Sequence, residues 1–418
     1  MPNLYAFQQK AVDELLGGKH ICVSPTGSGK TAMLFSWLKG INKKNVVIIT
    51  TANKAKSGDM EREAVQWNGQ EWLDSLSSFT VLSWHKLDKF SSGLRLSGLD
   101  DYVFVFDEVQ RCKGYSSGMG KAFRRITAHT RCWTGYTATP GDKWSDFVAY
   151  FVGAGLIRNI TQFRNEYCIM QNFRGFPEIV KYINEDMLLT MWNRIATIPD
   201  ASELFRELPP ETHEVIEFKA PAIYKKVKKE RVKENGDLIE STMELCHYLR
   251  QLSFTKEKQD WLTDFIESLG DNCIFFCNYI EEEETLCEIA KKVLPKGARI
   301  WRIDGKHHEI PTKDTIGKYD IIVAHYLSGG EALNLQFVHY WCSVSPNYSY
   351  STSVQARGRI KRHGQTHPMF YYYLKAVGTI EDDIFLCLRN KSDFSQETYA
   401  KQLDEEYSKQ YKENKFIN

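Results

Sequence analysis

Long apolar runs are missing from this sequence. No stretch approaches the roughly 20 residues needed to cross a bilayer, and the first residues carry no leader-like segment. The chain is therefore expected to avoid membranes and to stay in the cytoplasm, that of the host cell if a phage encodes it. Charge of one sign is missing too. The 54 Lys and Arg against 53 Asp and Glu leave a net +1, which excludes a globally basic protein. Nucleic-acid contact must then come from local basic stripes. The ten cysteines form no CxxC pair. Cys22, Cys273, Cys277 and Cys342 sit inside apolar stretches and read as buried thiols in a reducing compartment rather than as metal ligands. Short-period repeats and low-complexity segments are absent as well.

What is there is the composition of a globular protein. The 418 residues, 42% hydrophobic and 13% aromatic, suffice for two or three domains. Short apolar runs rich in β-branched residues alternate with helical stretches, the pattern of an α/β fold with parallel sheets. In the first part these runs are Ile21 to Val23, Val46 to Thr50, Phe79 to Ser83, Val103 to Phe106 and Arg131 to Tyr136. In the second they are Cys273 to Cys277, Ala298 to Ile303, Ile321 to Ala324, His339 to Val344 and Phe370 to Tyr373. Strands look sparse from about Gly141 to Val232. The expected organisation is a first lobe over 1–160, a helical and looped junction over 161–235, a second lobe over 236–390 and a helical tail over 391–418. Tyr399, Leu403, Tyr407 and Tyr411 recur every four residues in that tail and read as a face docked on the chain's own second lobe.

Ser24-Pro-Thr-Gly-Ser-Gly-Lys-Thr31 follows the first apolar run and opens a helical stretch. Gly27 and Gly29, on either side of Ser28, let the backbone curl so that successive N–H groups face an anion at a helix N-terminus. Lys30 would reach the β- and γ-phosphates of ATP, and the Thr31 hydroxyl would ligate Mg²⁺. The strict pattern begins with Gly, where this chain has Ser24. The plain alternative is a Gly-rich turn before an ordinary helix; strand, loop, Lys-Thr and helix in that order favour phosphate binding. Further on, the apolar run ending at Phe106 leads into Asp107-Glu108. A carboxylate at the tip of a buried strand beside a phosphate loop suits Mg²⁺, and its neighbour suits the attacking water. Asp107 is assigned to the metal and Glu108 to the water.

The order of motifs resembles superfamily-two helicases and translocases. Leu4-Tyr-Ala-Phe-Gln8 looks like their adenine-reading segment, with Gln8 at the adenine. Thr134-Gly-Tyr-Thr-Ala-Thr-Pro140 looks like the coupling motif that closes the first lobe. Ser328-Gly-Gly-Glu-Ala-Leu-Asn-Leu-Gln336 and Gln355-Ala-Arg-Gly-Arg-Ile-Lys-Arg-His-Gly-Gln365 look like the fifth and sixth motifs. Within that group the chain resembles Swi/Snf-type ATPases of the compact kind found in phages and bacteria. The marks are Asp107-Glu-Val-Gln-Arg-Cys-Lys113, Met60 to Trp67, the junction Glu207-Leu-Pro-Pro-Glu211 followed by Val215 to Lys219 and Tyr224, Ile303-Asp-Gly305, and Gly378-Thr-Ile-Glu-Asp382. The resemblance runs from about Leu4 to Arg389. No histone-reading module is visible, so nucleosome remodelling is not carried over.

The resemblance implies two tandem RecA-like lobes that bind ATP with Mg²⁺ between them. The first would contribute Gln8, Lys30, Thr31, Asp107 and Glu108. The second would contribute Gln355, Arg359 and Arg362. The last two, three residues apart, would leave one helix face as arginine fingers, which in other phosphoryl-transfer enzymes are worth roughly 10³ to 10⁵ in rate. The expected activity is ATP-driven translocation on double-stranded or branched DNA by a monomer serving repair, recombination or replication. A strand-separating or branch-migrating helicase is the alternative in the same class, and an ATP-switched binding module without motor activity is one from another. No nuclease constellation supports a restriction motor. Lys113, Lys121, Arg124 and Arg125 form one candidate backbone-binding cluster. Lys225, Lys226, Lys228, Lys229, Arg231 and Lys233 form another. Trp84 and His85 fall where a strand-tracking loop is expected, although buried packing suits Trp84 equally. No residue run stands out as a wedge that would split base pairs.

Overall fold

Val46-Val47-Ile48-Ile49 is apolar without interruption, and all four side chains are buried. A strand of that kind belongs inside a parallel sheet covered on both faces, which is where it lies. The computed structural model describes residues 3–94, 98–173, 176–206, 208–307, 309–326, 333–391, 393–395, 399 and 403. The chain divides into two units, Met1–Glu207 and Leu208–Asn418. Each is an α/β unit around a parallel sheet.

The first sheet has the order β3 (Ser78–Ser83), β2 (Asn45–Thr50), β4 (Tyr102–Asp107), β5 (Trp133–Thr137), β1 (Ile21–Val23), β8 (Ala196–Thr197), with every neighbouring pair parallel. Because side chains alternate along a strand, Val47, Ile49, Phe104 and Phe106 enter one core, which the helices Gly118–Thr127 and Val148–Gly153 cover. Val46, Ile48, Val103 and Val105 enter the opposite core under the helices Ala6–Leu16, Lys30–Ile41 and Asp59–Asn68. All carboxyl ends then point to one edge of the sheet, the edge where doubly wound sheets hold their ligands.

The stretch expected to be helix and loop contains strands. An antiparallel hairpin, β6 (Cys168–Phe173) and β7 (Phe176–Tyr182), stands outside the main sheet. Ile169 and Val180 on it are 49% and 59% exposed. A two-stranded ribbon with little buried surface leaves a weak hydrophobic pattern, so it is hard to read from composition. The segment 161–235 is also shared between the two units. The hairpin and β8 lie in the first, whereas β9 (Glu211–Lys219) pairs with the sheet of the second.

That second sheet runs β11 (Ile300–Ile303), β12 (Ile321–His325), β10 (Cys273–Cys277), β13 (Tyr340–Ser343), β14 (Met369–Val377), β9, again all parallel. The helices Lys256–Leu269 and Ile280–Val293 cover one face, and the helix Tyr350–Arg357 contributes Ala356 to the other. A further core joins the helices Ala222–Glu230, Thr242–Leu252 and Ile380–Arg389 with Phe394, Tyr399 and Leu403. Tyr407 and Tyr411 lie outside the described residues. Among those described, no helix is long and apolar enough to cross a membrane.

One buried charge pair fastens the second unit. Lys258 and Glu381 have fully buried side chains, with Nζ 2.8 Å from Oε2, and Glu381 also accepts the Ala376 N–H at 2.7 Å. Removing one partner strands the other charge in a dry interior. Lys258→Met is therefore expected to destabilise this unit by about 3–5 kcal/mol, read as a lowered urea midpoint. A change below about 1 kcal/mol would show that the pair's mutual attraction barely offsets its desolvation.

Candidate functional site

Ser24 to Thr31 leaves the carboxyl end of β1. Its first N–H donates to the Thr137 carbonyl at 2.9 Å, tying the loop to the end of β5. Gly27 and Gly29 have φ of 79° and 78°, a left-handed conformation that glycine adopts at no steric cost. At Gly29 a Cβ would also stand 2.4 Å from Gln8 Nε2. The loop is braced by hydroxyls: Ser24 Oγ donates to Ser28 Oγ at 2.6 Å, and Ser28 Oγ donates to the Pro25 carbonyl at 2.7 Å. The unusual Ser24 thus has a mechanical part that Gly could not play. Lys30 Nζ arches back to the carbonyls of Ser24 and Pro25 at 3.0 and 2.9 Å. The helix it opens has Gly29 as N-cap, which places no side-chain cap on its first N–H groups, the arrangement that accepts an anion.

Gln8 is 4% exposed. Its Oε1 accepts the Tyr5 N–H at 2.9 Å and its Nε2 donates to the Ser28 carbonyl at 2.8 Å. It therefore links the first helix to the loop Ser24 to Thr31.

β4 delivers Asp107 and Glu108 to the same edge. Asp107 Oδ2 accepts from Thr50 Oγ1 at 2.7 Å and from Lys54 Nζ at 2.9 Å. Burial alone would raise its pKa, but Lys54, Thr50 and the nearby Lys30 outweigh burial and hold the carboxyl below its ordinary value. Thr50 and Lys54 do not stand out in the sequence. Their signal was topological: β2 and β4 are neighbours, so a hydroxyl ending one strand meets a carboxylate ending the other. Glu108 has φ 54° and ψ 51°, a backbone state that costs a non-glycine residue roughly 1–2 kcal/mol and is held only where the surroundings impose it. Its Oε2 accepts from Gln110 Nε2 at 2.7 Å.

Among the described residues no group of three or more His, Cys, Asp and Glu could hold a metal. A divalent ion here would rest on Thr31 and Asp107, with phosphate and water completing its shell. That sparse, oxygen-only donor set is the one Mg²⁺ accepts.

In the second unit the helix carrying Gln355 ends at Arg357. Arg359 and Arg362 thus lie in the following turn and not on a helix face as expected. Gly358 caps the helix, Gly364 has φ 92°, and Gln365 Nε2 closes the turn on the carbonyls of Val338 and Ile360 at 3.0 and 3.3 Å. The two arginines converge even so. Arg359, 4% exposed, donates to the Leu333 carbonyl at 3.4 Å, and Arg362 donates to the Gly358 carbonyl and to Asn334 Oδ1. Gln355 is buried. Residues 328–332 of the expected fifth motif lie outside those described.

Trp84 is a core residue, 1% exposed, whose Nε1 donates to the Asp107 carbonyl at 2.8 Å; His85 is exposed. Of the first basic cluster, Arg124 stacks on Tyr115 and Arg125 donates to Ser91 and Ser92. In the second, Lys225, Lys226 and Lys229 are exposed on one helix, and Lys233 pairs with Glu244. Compared with models of known protein families and with curated proteins, the chain matches none.

Proposed function

We propose that this chain is a DNA-dependent ATPase built from two RecA-like lobes, which turns ATP hydrolysis into translocation along double-stranded DNA in repair, recombination or replication. One observation carries the reading: a braced, left-handed glycine loop with its lysine shares the carboxyl edge of one parallel sheet with buried Asp107 and half-buried Glu108. Parts of that kind serve phosphoryl transfer, where little covalent chemistry is asked of the protein and positioning of charge does most.

In this reading Lys30 leaves the two loop carbonyls for the β- and γ-phosphates, and the uncapped N–H groups of its helix take the remaining charge. Mg²⁺, held by Thr31 and Asp107, would supply neutralisation of the phosphate oxygens. Glu108, aimed by its forced backbone, orients the attacking water and takes its proton. Gln8 reports the adenine to the loop it already touches. Gln355, Arg359 and Arg362 stabilise the charge of the transferring phosphoryl group. Lys225, Lys226 and Lys229 would contact DNA backbone without sequence preference.

Strand separation is a second reading, favoured by the β6–β7 hairpin that stands outside both main sheets. Two assays run side by side decide between them. Translocation predicts that duplex DNA stimulates the ATPase at least as well as single strands, and that a third strand is displaced from a triplex while a forked duplex stays paired. Efficient fork unwinding without triplex displacement gives the hairpin the role of a wedge. An ATPase indifferent to DNA and RNA would remove the motor from the proposal.

A further inference from the structure

The second unit contains a cavity of about 660 Å³ that none of the residues assigned above lines. Its size is within the roughly 300–1,000 Å³ usual for small-molecule sites. The floor is the sheet face carrying Trp341, Tyr373, His213 and Val215. One wall is the helix Tyr350–Arg357, which turns Tyr350, Ser353 and Arg357 inward at spacings of three and four. The other is the helix Ile380–Arg389 with Asp382, Phe385, Leu386 and Arg389.

Three features narrow what could enter. The first is aromatic ring surface, its rings steeply inclined to one another, around an open slot. Tyr373 lies edge-on to Phe385 with centroids 6.5 Å apart and stands 5.4 Å from Trp341, while Val215 and Leu386 are each 48% exposed. Aromatic side chains of this kind stack bases of any sequence. The second is an orphan donor. Trp341 is 1% exposed, and its buried Nε1–H meets no acceptor among the described residues, although buried donors are nearly always paired. Its Nε1 is closed to solvent, so a ring nitrogen or ring carbonyl would pair it by displacing the neighbouring side chains. The third is the rim, where both signs of charge occur. Lys375 bridges Glu217 and Asp382 at 3.2 and 2.8 Å, and Arg357 and Arg389 add guanidinium groups. A lipid tail would use the aromatic floor and waste these charges. A planar heterocycle bearing a phosphate uses the floor, the indole donor and the arginines together.

We propose that this cavity is a second nucleotide-recognition site, which takes a single nucleobase with its phosphate against Arg357 and Arg389. The base could belong to a free nucleotide or to an unstacked position in a single strand; the chemistry is shared. The site does not depend on ATP turnover, so it is tested in the full chain carrying Lys30→Ala, which removes the phosphate-loop lysine. Two fluorescent probes separate the sources: 2-aminopurine riboside monophosphate, and a single-stranded oligonucleotide with one internal 2-aminopurine. Saturable quenching of either is expected, as stacking on an aromatic floor requires. Quenching of the free nucleotide points to a small-molecule site, and quenching of the oligonucleotide alone points to a strand. Phe385→Ala should weaken binding about tenfold or more. Val215→Glu, at a half-exposed position of the edge strand β9 where folding is not at stake, should do the same. Absence of quenching with both probes, or quenching untouched by both substitutions, overturns the proposal.

Discussion

Replacing Lys30 by Ala is expected to abolish steady ATP turnover, with a fall of roughly 10²–10³-fold or more, while circular dichroism and the thermal transition stay near those of the parent chain. The fold should survive because Lys30 sits at the opening of its helix and donates to the carbonyls of Ser24 and Pro25, which water can solvate in its absence. The chemistry should not survive. The loop's N–H groups provide partial charges, whereas the triphosphate carries several full negative ones, and Lys30 is the loop's only full positive charge. Nucleotide affinity should fall together with the rate, because the same ammonium serves ground state and transition state. A folded Lys30→Ala chain with near-parental turnover would end the phosphate-loop assignment and leave Ser24 to Thr31 as a structural turn.

Glu108→Gln should separate binding from chemistry. The amide has the size of the carboxylate and can keep a hydrogen bond to Gln110, so the forced backbone at φ 54° need not change. It cannot accept a proton from water. ATP and Mg²⁺ should therefore bind with close to parental affinity while kcat drops by roughly 10²–10⁴-fold. Equilibrium binding of a fluorescent ATP analogue beside single-turnover hydrolysis makes the comparison. Lost affinity at unchanged kcat would exchange the roles, making Glu108 the metal-side residue and Asp107 the base. Asp107 is poorly suited to that exchange. Its Oδ2 is held by Thr50 and Lys54, and these with Lys30 keep its carboxyl more acidic than usual despite burial, which weakens it as a proton acceptor.

Several parts of this site could be read without coordinates because their chemistry is local. Eight consecutive residues form the loop, and two adjacent ones form the carboxylate pair. The central strands were legible for a related reason. A strand covered on both faces must be apolar throughout, so β2, β4 and β10 appear as continuous runs whose limits hardly move in the structure. β9 did not appear in that way. It is an edge strand whose side chains are mostly exposed, and nothing in its composition separates it from a linker. β8, with two residues, is below any pattern's reach. The hairpin β6–β7 hides for the same reason as β9.

The amino-acid order by itself determined the α/β class, the glycine-rich loop after β1 and the place of Asp107 and Glu108, since each depends on neighbours in the chain and on burial that composition reports. Tertiary structure alone decided the rest. Lys54 meets Asp107 across 53 residues because two strands are adjacent in a sheet, an adjacency no local spacing encodes. Arg359 and Arg362 reach adjacent residues, Leu333 and Asn334, from a turn held by Gln365 and not through helical periodicity. The cavity under Trp341 draws on β9, β13, β14 and two helices, from His213 to Arg389. Its chemistry exists only once the fold has brought together groups that the chain keeps far apart.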